Sequence, residues 1–306
     1  MNKTKLDELL RMAVEDGVSD IIFAVDEPPL FRYSGTLMDV KSNPLEARDT
    51  QLLTRLLLQK GENPDEFTAA EVAYEVEGVG RFRASVFKQR GAFRIVMRVI
   101  PIEVRSFADL NLPAEIASVA DLKRGLVLVT GATGQGKSTT ISAIIEQINC
   151  TRKAHIITIE DPIEFTYGRS RSLVTQREIG DDVPDYQTAI RQALRQSPDV
   201  IMVGEIRDVS TFDAALMGAE TGHLVLSAVH TTDAEKTIGR VLGFYPNDER
   251  QSIRERLASN LVAIISLRLL PCSKNGGRVP AVEIMRVNEA IADCIRNSEK
   301  TFEIRN

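Results

Sequence analysis

Apolar residues recur at helical spacing in some stretches of this chain and at strand spacing in others, and the change between the two divides it. Leu6, Leu9, Leu10, Ala13 and Val14 line one face of a first helix, which Gly17 ends in a left-handed cap. Residues 19–25 and 30–40 read as strands around an Asp-Glu-Pro-Pro turn at 26–29. A second helix is expected over 45–60, carrying Leu52, Leu53, Leu56 and Leu57 and broken at residues 61–64. Alternating strands follow at 71–77, 81–89 and 93–100. Helices beside antiparallel strands make this first part α+β. Residues 101–113 have proline at both ends and no sustained period, which marks a linker. Beyond them the pattern changes to short β-branched runs: LVLVT (126–130), HIITI (155–159), DVIMV (199–203) and HLVLSAV (223–229). Helical stretches separate them, so the second part reads as α/β with a buried parallel sheet. After Pro246 a long helix is expected over 248–270, on Ile253, Leu257, Leu261 and Ile264. A turn at 275–277, a strand at 279–285 and a last helix capped by Asn288 close the pattern.

Composition narrows the class. With 306 residues the chain is long enough for two domains, and 43% apolar with 26% charged residues fits a folded chain. A net charge of −5 argues against a chain built to coat nucleic acid. Cys150, Cys272 and Cys294 form no C-x-x-C pair, so neither a zinc site nor a disulfide framework is expected. The N-terminus is amphipathic, without the apolar core of a signal peptide, and no apolar run reaches the length of a membrane span. The expected location is cytoplasmic.

The chemistry starts where LVLVT meets a glycine-rich loop. Gly131-Ala-Thr-Gly134-Gln-Gly136-Lys137-Ser138 is G-x-x-x-x-G-K-S. It follows a strand and opens a helix carrying Ile141, Ile144, Ile145 and Ile148. That context is what a phosphate-binding loop requires. Glycine dihedrals let backbone N–H groups turn inward around a polyphosphate, and the helix N-terminus adds positive potential. Gly131, Thr133, Gly134, Gln135, Gly136, Lys137, Ser138 and Thr139 are the candidate binding residues. Lys137 is expected on the β- and γ-phosphates, and the Ser138 hydroxyl on Mg²⁺.

Ligands bind at the carboxyl ends of parallel strands. After HIITI come Glu160, Asp161 and Glu164; after DVIMV come Gly204, Glu205 and Arg207; after HLVLSAV come His230 and Thr231. Glu205 fits the acidic position that supports Mg²⁺ or the attacking water, and either Glu164 or Glu160 the water-activating base. His230 is placed to sense the terminal phosphate. His223 lies at the other end of its strand, roughly 23 Å away at strand rise, and suits a domain or subunit contact instead. His155 is assigned to packing. From Arg81 to Ile100 there are six cations and no acid. That stretch reads either as a solvated basic sheet face or as a patch facing phosphate.

Four segments then resemble the Walker A, Asp, atypical Walker B and His boxes of the secretion-type traffic ATPases. They are GATGQGKSTT (131–140), ITIEDPIEF (157–165), SPDVIMVGEIRD (197–208) and ETGHLVLSAVHT (220–231). SDIIFAVDEPPLFRYSG (19–35), GRFRASVFKQRGAFRIVMRVIP (80–101) and GRVPAVEIM (277–285) resemble PilT-class type IV pilus retraction motors in particular. In place of the four-cysteine zinc module of assembly and type II secretion ATPases, this chain reads LLPCSKNGGRV (269–279), with one cysteine. Retraction motors usually continue past the last helix with an AIRAGE-type motif, where this sequence ends at TFEIRN. Gln135 stands where a small polar residue is more usual, and its side chain can point outward.

The resemblance implies a PAS-like α+β domain over 1–100, a linker over 101–113, and a RecA-like α/β P-loop ATPase domain with C-terminal helices over 114–306. It implies ATP and Mg²⁺ as cofactors and a homo-hexamer. The ring would lie peripheral on the cytoplasmic face of the inner membrane and drive a pilus platform protein, with a second motor ATPase as a further partner and no nucleic acid. A traffic ATPase of a related secretion or DNA-transfer system, or an accessory ATP-binding subunit with little turnover, is the alternative. By resemblance Glu164 becomes the water activator, Glu205 the Walker B carboxylate and His223 with His230 the His-box pair. Arg81, Arg83 and Arg98 become phosphate-contacting arginines, and Arg240 lies close to the nucleotide or a subunit interface.

Overall fold

A computed structural model describes residues 2–33, 35–58, 68–100, 104–272 and 278–305. The chain splits into two units, Met1–Ile102 and Glu103–Asn306. The expected helix break at 61–64, the turn at 275–277 and the start of the expected linker lie outside the described residues.

In the first unit, α1 (Lys3–Glu15) begins at Asn2, whose side chain accepts from the Lys5 N–H, and it buries Leu6, Leu10 and Ala13. Gly17 follows it at φ +72°, in the left-handed cap the sequence calls for. β1 (Asp20–Phe23) comes next. The single strand expected over 30–40 is instead a hairpin of β2 (Leu30–Tyr33) and β3 (Thr36–Asp39), because Gly35 turns the chain at φ +93°. α2 (Ala47–Leu57) is shorter than expected at both ends. It is followed by β4 (Ala69–Val76), β5 (Gly80–Gln89) and β6 (Ala92–Ile100). The six strands pair antiparallel in the order β3-β2-β1-β6-β5-β4. Alternation sends Phe82, Ala84 and Val86 into a core with Leu6, Leu10 and Leu53 of the helices, leaving the arginines on the opposite face.

The second unit opens with a short α3 (Ala114–Ala117). Phe107 and Leu112, ahead of it, pack against this unit's core. β7 (Gly125–Thr130) runs into α4 (Lys137–Thr151), then β8 (His155–Glu160) and β9 (Leu173–Glu178), a polar edge strand with no counterpart among the expected elements. α5 (Tyr186–Ala193), β10 (Val200–Glu205), α6 (Val209–Glu220), β11 (Leu224–Val229) and α7 (Ala234–Leu242) continue the alternation. The long helix expected over 248–270 is wrong in its second half. α8 ends at Asn260 (Arg250–Asn260), and β12 (Leu261–Pro271) begins at once. The apolar spacing carries across the junction, but the LVAIIS run is β-branched and finds a parallel partner in β7. β13 (Arg278–Arg286) returns antiparallel, and α9 (Glu289–Arg296) starts at Asn288, whose side chain accepts from Ile291 N.

The sheet order is β13-β12-β7-β11-β10-β8-β9, parallel except for β13. One face is covered by α4 through Ile141, Ile144, Ile145 and Ile148. The other carries α5 to α9 around Leu128, Ile159, Ile201 and Phe212. β7 and β11 are buried along their whole length, each large apolar side chain contributing about 1.5–3 kcal/mol. This rigid centre aims the carboxyl ends of β7, β8, β10 and β11 at one edge of the unit.

Candidate active site

β7 ends at Thr130 and the loop that follows cannot be built from ordinary residues. Gly131, Gly134 and Gly136 sit at φ +152°, +75° and +91°. A Cβ on Gly131 would also lie 2.7 Å from the Leu267 carbonyl oxygen. Gly136 is the N-cap of α4 and Lys137 its first residue. The buried Lys137 ammonium donates to the carbonyls of Gly131 (2.9 Å) and Ala132 (3.1 Å), closing the loop on itself. Burial lowers its pKa, opposed by the negative charge of Glu164. Thr133 and Ser138 are exposed at the mouth of the loop and Thr139 is half-buried. Gln135, which can point outward, instead accepts through its side-chain oxygen from the Leu269 N–H at 2.6 Å. Arg278, which the sequence did not single out, donates to the Gly134 carbonyl at 3.3 Å.

Two carboxylates at the end of β8 take different parts. Glu160 is buried, with one oxygen accepting from the Thr158 hydroxyl (2.7 Å) and Gln176 (3.2 Å), and the other from the Glu164 N–H (3.3 Å). Burial pushes its pKa up against these hydrogen bonds. Glu178 of β9 likewise accepts from the Ile163 N–H at 3.0 Å. Glu160 and Glu178 therefore hold the backbone of the 161–164 turn, while the Asp161 and Glu164 side chains stand exposed. Of the two candidate bases, Glu164 is the one with open oxygens.

At the end of β10 the register against β11 shifts between Val203 and Glu205. Gly204 sits in that shift, where a Cβ would meet the Tyr186 hydroxyl at 3.0 Å and the Ile159 carbonyl at 3.3 Å. This is why a glycine precedes the acid and why Glu205 comes level with Ala228. Glu205 pairs with Arg207 and lies 2.7 Å from His230 Nε2. His230 Nδ1 is 3.5 Å from the Lys137 ammonium. An ammonium can only donate, so Nδ1 accepts and Nε2 carries the proton that goes to Glu205. Burial, with the positive charges of Lys137 and Arg207, holds the His230 pKa below its ordinary value. Lys137, His230, Glu205 and Arg207 thus form one line across the ends of β7, β11 and β10. A cleft of about 350 Å³ opens beside it, between Asp161, Tyr186, Glu205, Arg207 and Asp208.

Other candidates lie elsewhere. His223 Nδ1 faces the Gly218 carbonyl (3.0 Å) and the Thr221 hydroxyl (3.1 Å) just after α6, at the opposite end of β11 from His230. Arg240 sits in the last turn of α7 with its guanidinium over the Phe244 ring at 5.0 Å. His155, assigned to packing, is half-buried and approaches the Gln196 carbonyl (3.1 Å) and the Thr175 hydroxyl (3.0 Å). In the first unit the stretch of cations is not free of acids once folded. Arg98 pairs with Asp20 of β1 and Arg83 with Glu71 of β4, each at 3.0 Å, and Arg81 faces Glu75 in register.

Among the described residues no group of three or more His, Cys, Asp or Glu side chains would hold a metal ion alone. An exposed Ser138 hydroxyl and a strand-end carboxylate are a donor set for a hard cation that also takes phosphate oxygens and waters, which suits Mg²⁺. Also among the described residues, no helix is long and apolar enough to cross a membrane.

Known proteins resemble the chain over nearly its whole length. The family model described as "Type II/IV secretion system protein" matches residues 3–305. The chain is 40% identical over 296 residues to the "Type IV pilus retractation ATPase PilT" of Pseudomonas aeruginosa, covering 96% of this chain and 86% of that one. A crystal structure of the pilus retraction motor PilT with bound ADP superposes with a TM-score of 0.91 at 40% identity, covering 98% of this chain and 88% of that chain. The Legionella pneumophila ATPase DotB superposes with a TM-score of 0.86 at 28% identity, covering 100% and 87%. With a family model matching almost every residue and a relative 40% identical over 96% of its length, the chain belongs to the Type II/IV secretion system protein family.

Proposed function

We propose that this protein is an ATP-hydrolysing motor that drives type IV pilus retraction. The observation that carries the reading is the line Lys137–His230–Glu205 beside an exposed Glu164, all at the phosphate-loop end of the sheet. In turnover, Lys137 exchanges the Gly131 and Ala132 carbonyls for the β- and γ-phosphate oxygens, releasing His230 Nδ1 to face the terminal phosphate. Glu164 orients the attacking water and accepts its proton. Glu160 holds Glu164 in place through its backbone. Ser138 and Glu205 are the protein-side ligands for Mg²⁺, which when bound neutralises charge on the phosphates.

The first unit acts as a PAS-like cover and the second as a RecA-like engine. Arg81, Arg83 and Arg98 are the candidate cations for the phosphates. The assembly is a homo-hexamer, peripheral on the cytoplasmic face of the inner membrane, that turns a pilus platform protein. The 40% identity to PilT across nearly the whole chain supports this reading. The family's breadth supports a second one, in which the same engine powers a related secretion system.

A Lys137→Ala allele in the source organism tests the first. Pili are expected to remain extended, with retraction lost and protein secretion unaffected. Normal retraction with failed secretion would move the assignment to the second reading.

A further inference from the structure

The phosphate-binding loop is tied at its crown to a strand more than a hundred residues away. β7 and β12 pair as far as Thr130 and Ser266, whose hydroxyls meet at 3.0 Å. There β7 turns away into the loop, while β12 runs on to Pro271. Alternate residues of β12 keep turning backbone groups toward the side β7 has left. The Leu267 carbonyl presses against Gly131, and the Leu269 N–H points the same way with no strand to receive it. On the other side Leu269 stands opposite Pro280, which has no N–H to offer or miss.

The Gln135 side chain takes the missing strand's place, its oxygen 2.6 Å from the Leu269 nitrogen. The Leu269 side chain approaches the next loop residue too, 3.9 Å from where a Cβ on Gly136 would be. A serine at 135 is too short to span this gap, so the tie depends on the longer side chain that distinguishes this loop. A loop with three glycines at positive φ carries a large ordering cost when it closes around phosphates. A loop already anchored has met that cost on folding, and preorganisation appears as affinity.

We propose that Gln135 is a positioning residue for nucleotide binding: by completing the β12 ladder at Leu269, it holds the phosphate-binding loop in its binding conformation. This rests on the reading that the loop binds a nucleotide. Gln135 acts equally on the bound ground state and the transition state, so its effect belongs in affinity and KM and not in kcat.

The test compares full-length wild type with Gln135→Met, which keeps length and loses the acceptor, and Gln135→Glu, which keeps an acceptor oxygen. ADP affinity, kcat at saturating ATP and hydrogen exchange at the Leu269 amide are measured on each. For Gln135→Met, ADP binding about fivefold weaker is expected, in line with the loss of one hydrogen bond, with kcat within about twofold. Leu269 exchange is expected to accelerate while Val127 and Val129 stay protected. Gln135→Glu is expected to keep Leu269 protected. Unchanged ADP affinity in Gln135→Met, equal losses of kcat and affinity, or Leu269 exchange indifferent to the substitution would each overturn the proposal. Failure of the wild type to bind ADP would instead overturn the nucleotide reading beneath it.

Discussion

Single residues in this site are explained by what lies within a few ångströms, and Gly131 shows how much of that a sequence can carry. Its pattern position announces a phosphate loop, and a loop of this kind requires glycine dihedrals. That the Leu267 carbonyl also closes on it is invisible in the sequence, because the two meet only through β12. The glycines of the loop therefore differ in how replaceable they are. Gly134→Ala meets open space and costs the left-handed strain alone, about 1–2 kcal/mol. Gly131→Ala adds a clash with backbone that has nowhere to go, a further 1–3 kcal/mol. Thermal melts and ADP binding are expected to rank Gly131→Ala as the more damaging. Equal effects would contradict the packing described. The same distance in sequence hid the partners of Gln135 and Arg278. The strand-end acids were legible because each follows its own strand directly. Which of Glu160 and Glu164 stays free was not legible, since burial decides it.

At the scale of elements, patterning succeeds where a strand or helix answers to one periodicity. β7, β8, β10 and β11 are short β-branched runs, and the sequence places them within a residue or two. It fails at β12, where Leu257, Leu261 and Ile264 sustain helical spacing through a change of conformation that only the β7 partner enforces. It also misses β9, whose LVTQRE lacks an apolar stripe because an edge strand needs none. The start of α9 was marked in the sequence by Asn288, that of α7 was not. α7 opens at Asp233, which accepts from the Lys236 N–H at 2.9 Å and from the Thr232 hydroxyl at 2.9 Å. Burial raises the pKa of this carboxyl, but those hydrogen bonds and the Lys236 ammonium outweigh it and bring it down to about 2. A depressed aspartate stabilises above its unfolded pKa, and loses that contribution as pH falls through the folded value. Asp233→Ala is therefore expected to cost about 1 kcal/mol near neutrality, by loss of the cap. Its deficit against wild type should shrink between roughly pH 4 and pH 2. Denaturant midpoints across that range check it. A deficit independent of pH would show that Asp233 works by packing and not by charge.

For the whole molecule, the sequence pattern separates an α+β part from an α/β part, and the folded chain has one antiparallel sheet and one mostly parallel sheet. What the pattern could not show is how charges settle between neighbouring strands. The run from Arg81 to Ile100 looks uncompensated along the chain, yet across the sheet Asp20 and Glu71 partner Arg98 and Arg83. The exposed Arg83–Glu71 pair is weak, about 0–1 kcal/mol, whereas Asp20 is buried and is shared between Arg98 and Arg32.

The account rests above all on Glu164 acting on water at the loop that Lys137 closes. The most direct test is phosphate release from ATP by the purified full-length protein with Mg²⁺, set beside its Glu164→Gln variant, with ADP binding measured on both. A loss of turnover of roughly a hundredfold to ten-thousandfold with ADP affinity preserved is the predicted result. Turnover in Glu164→Gln equal to that of the wild type would contradict it.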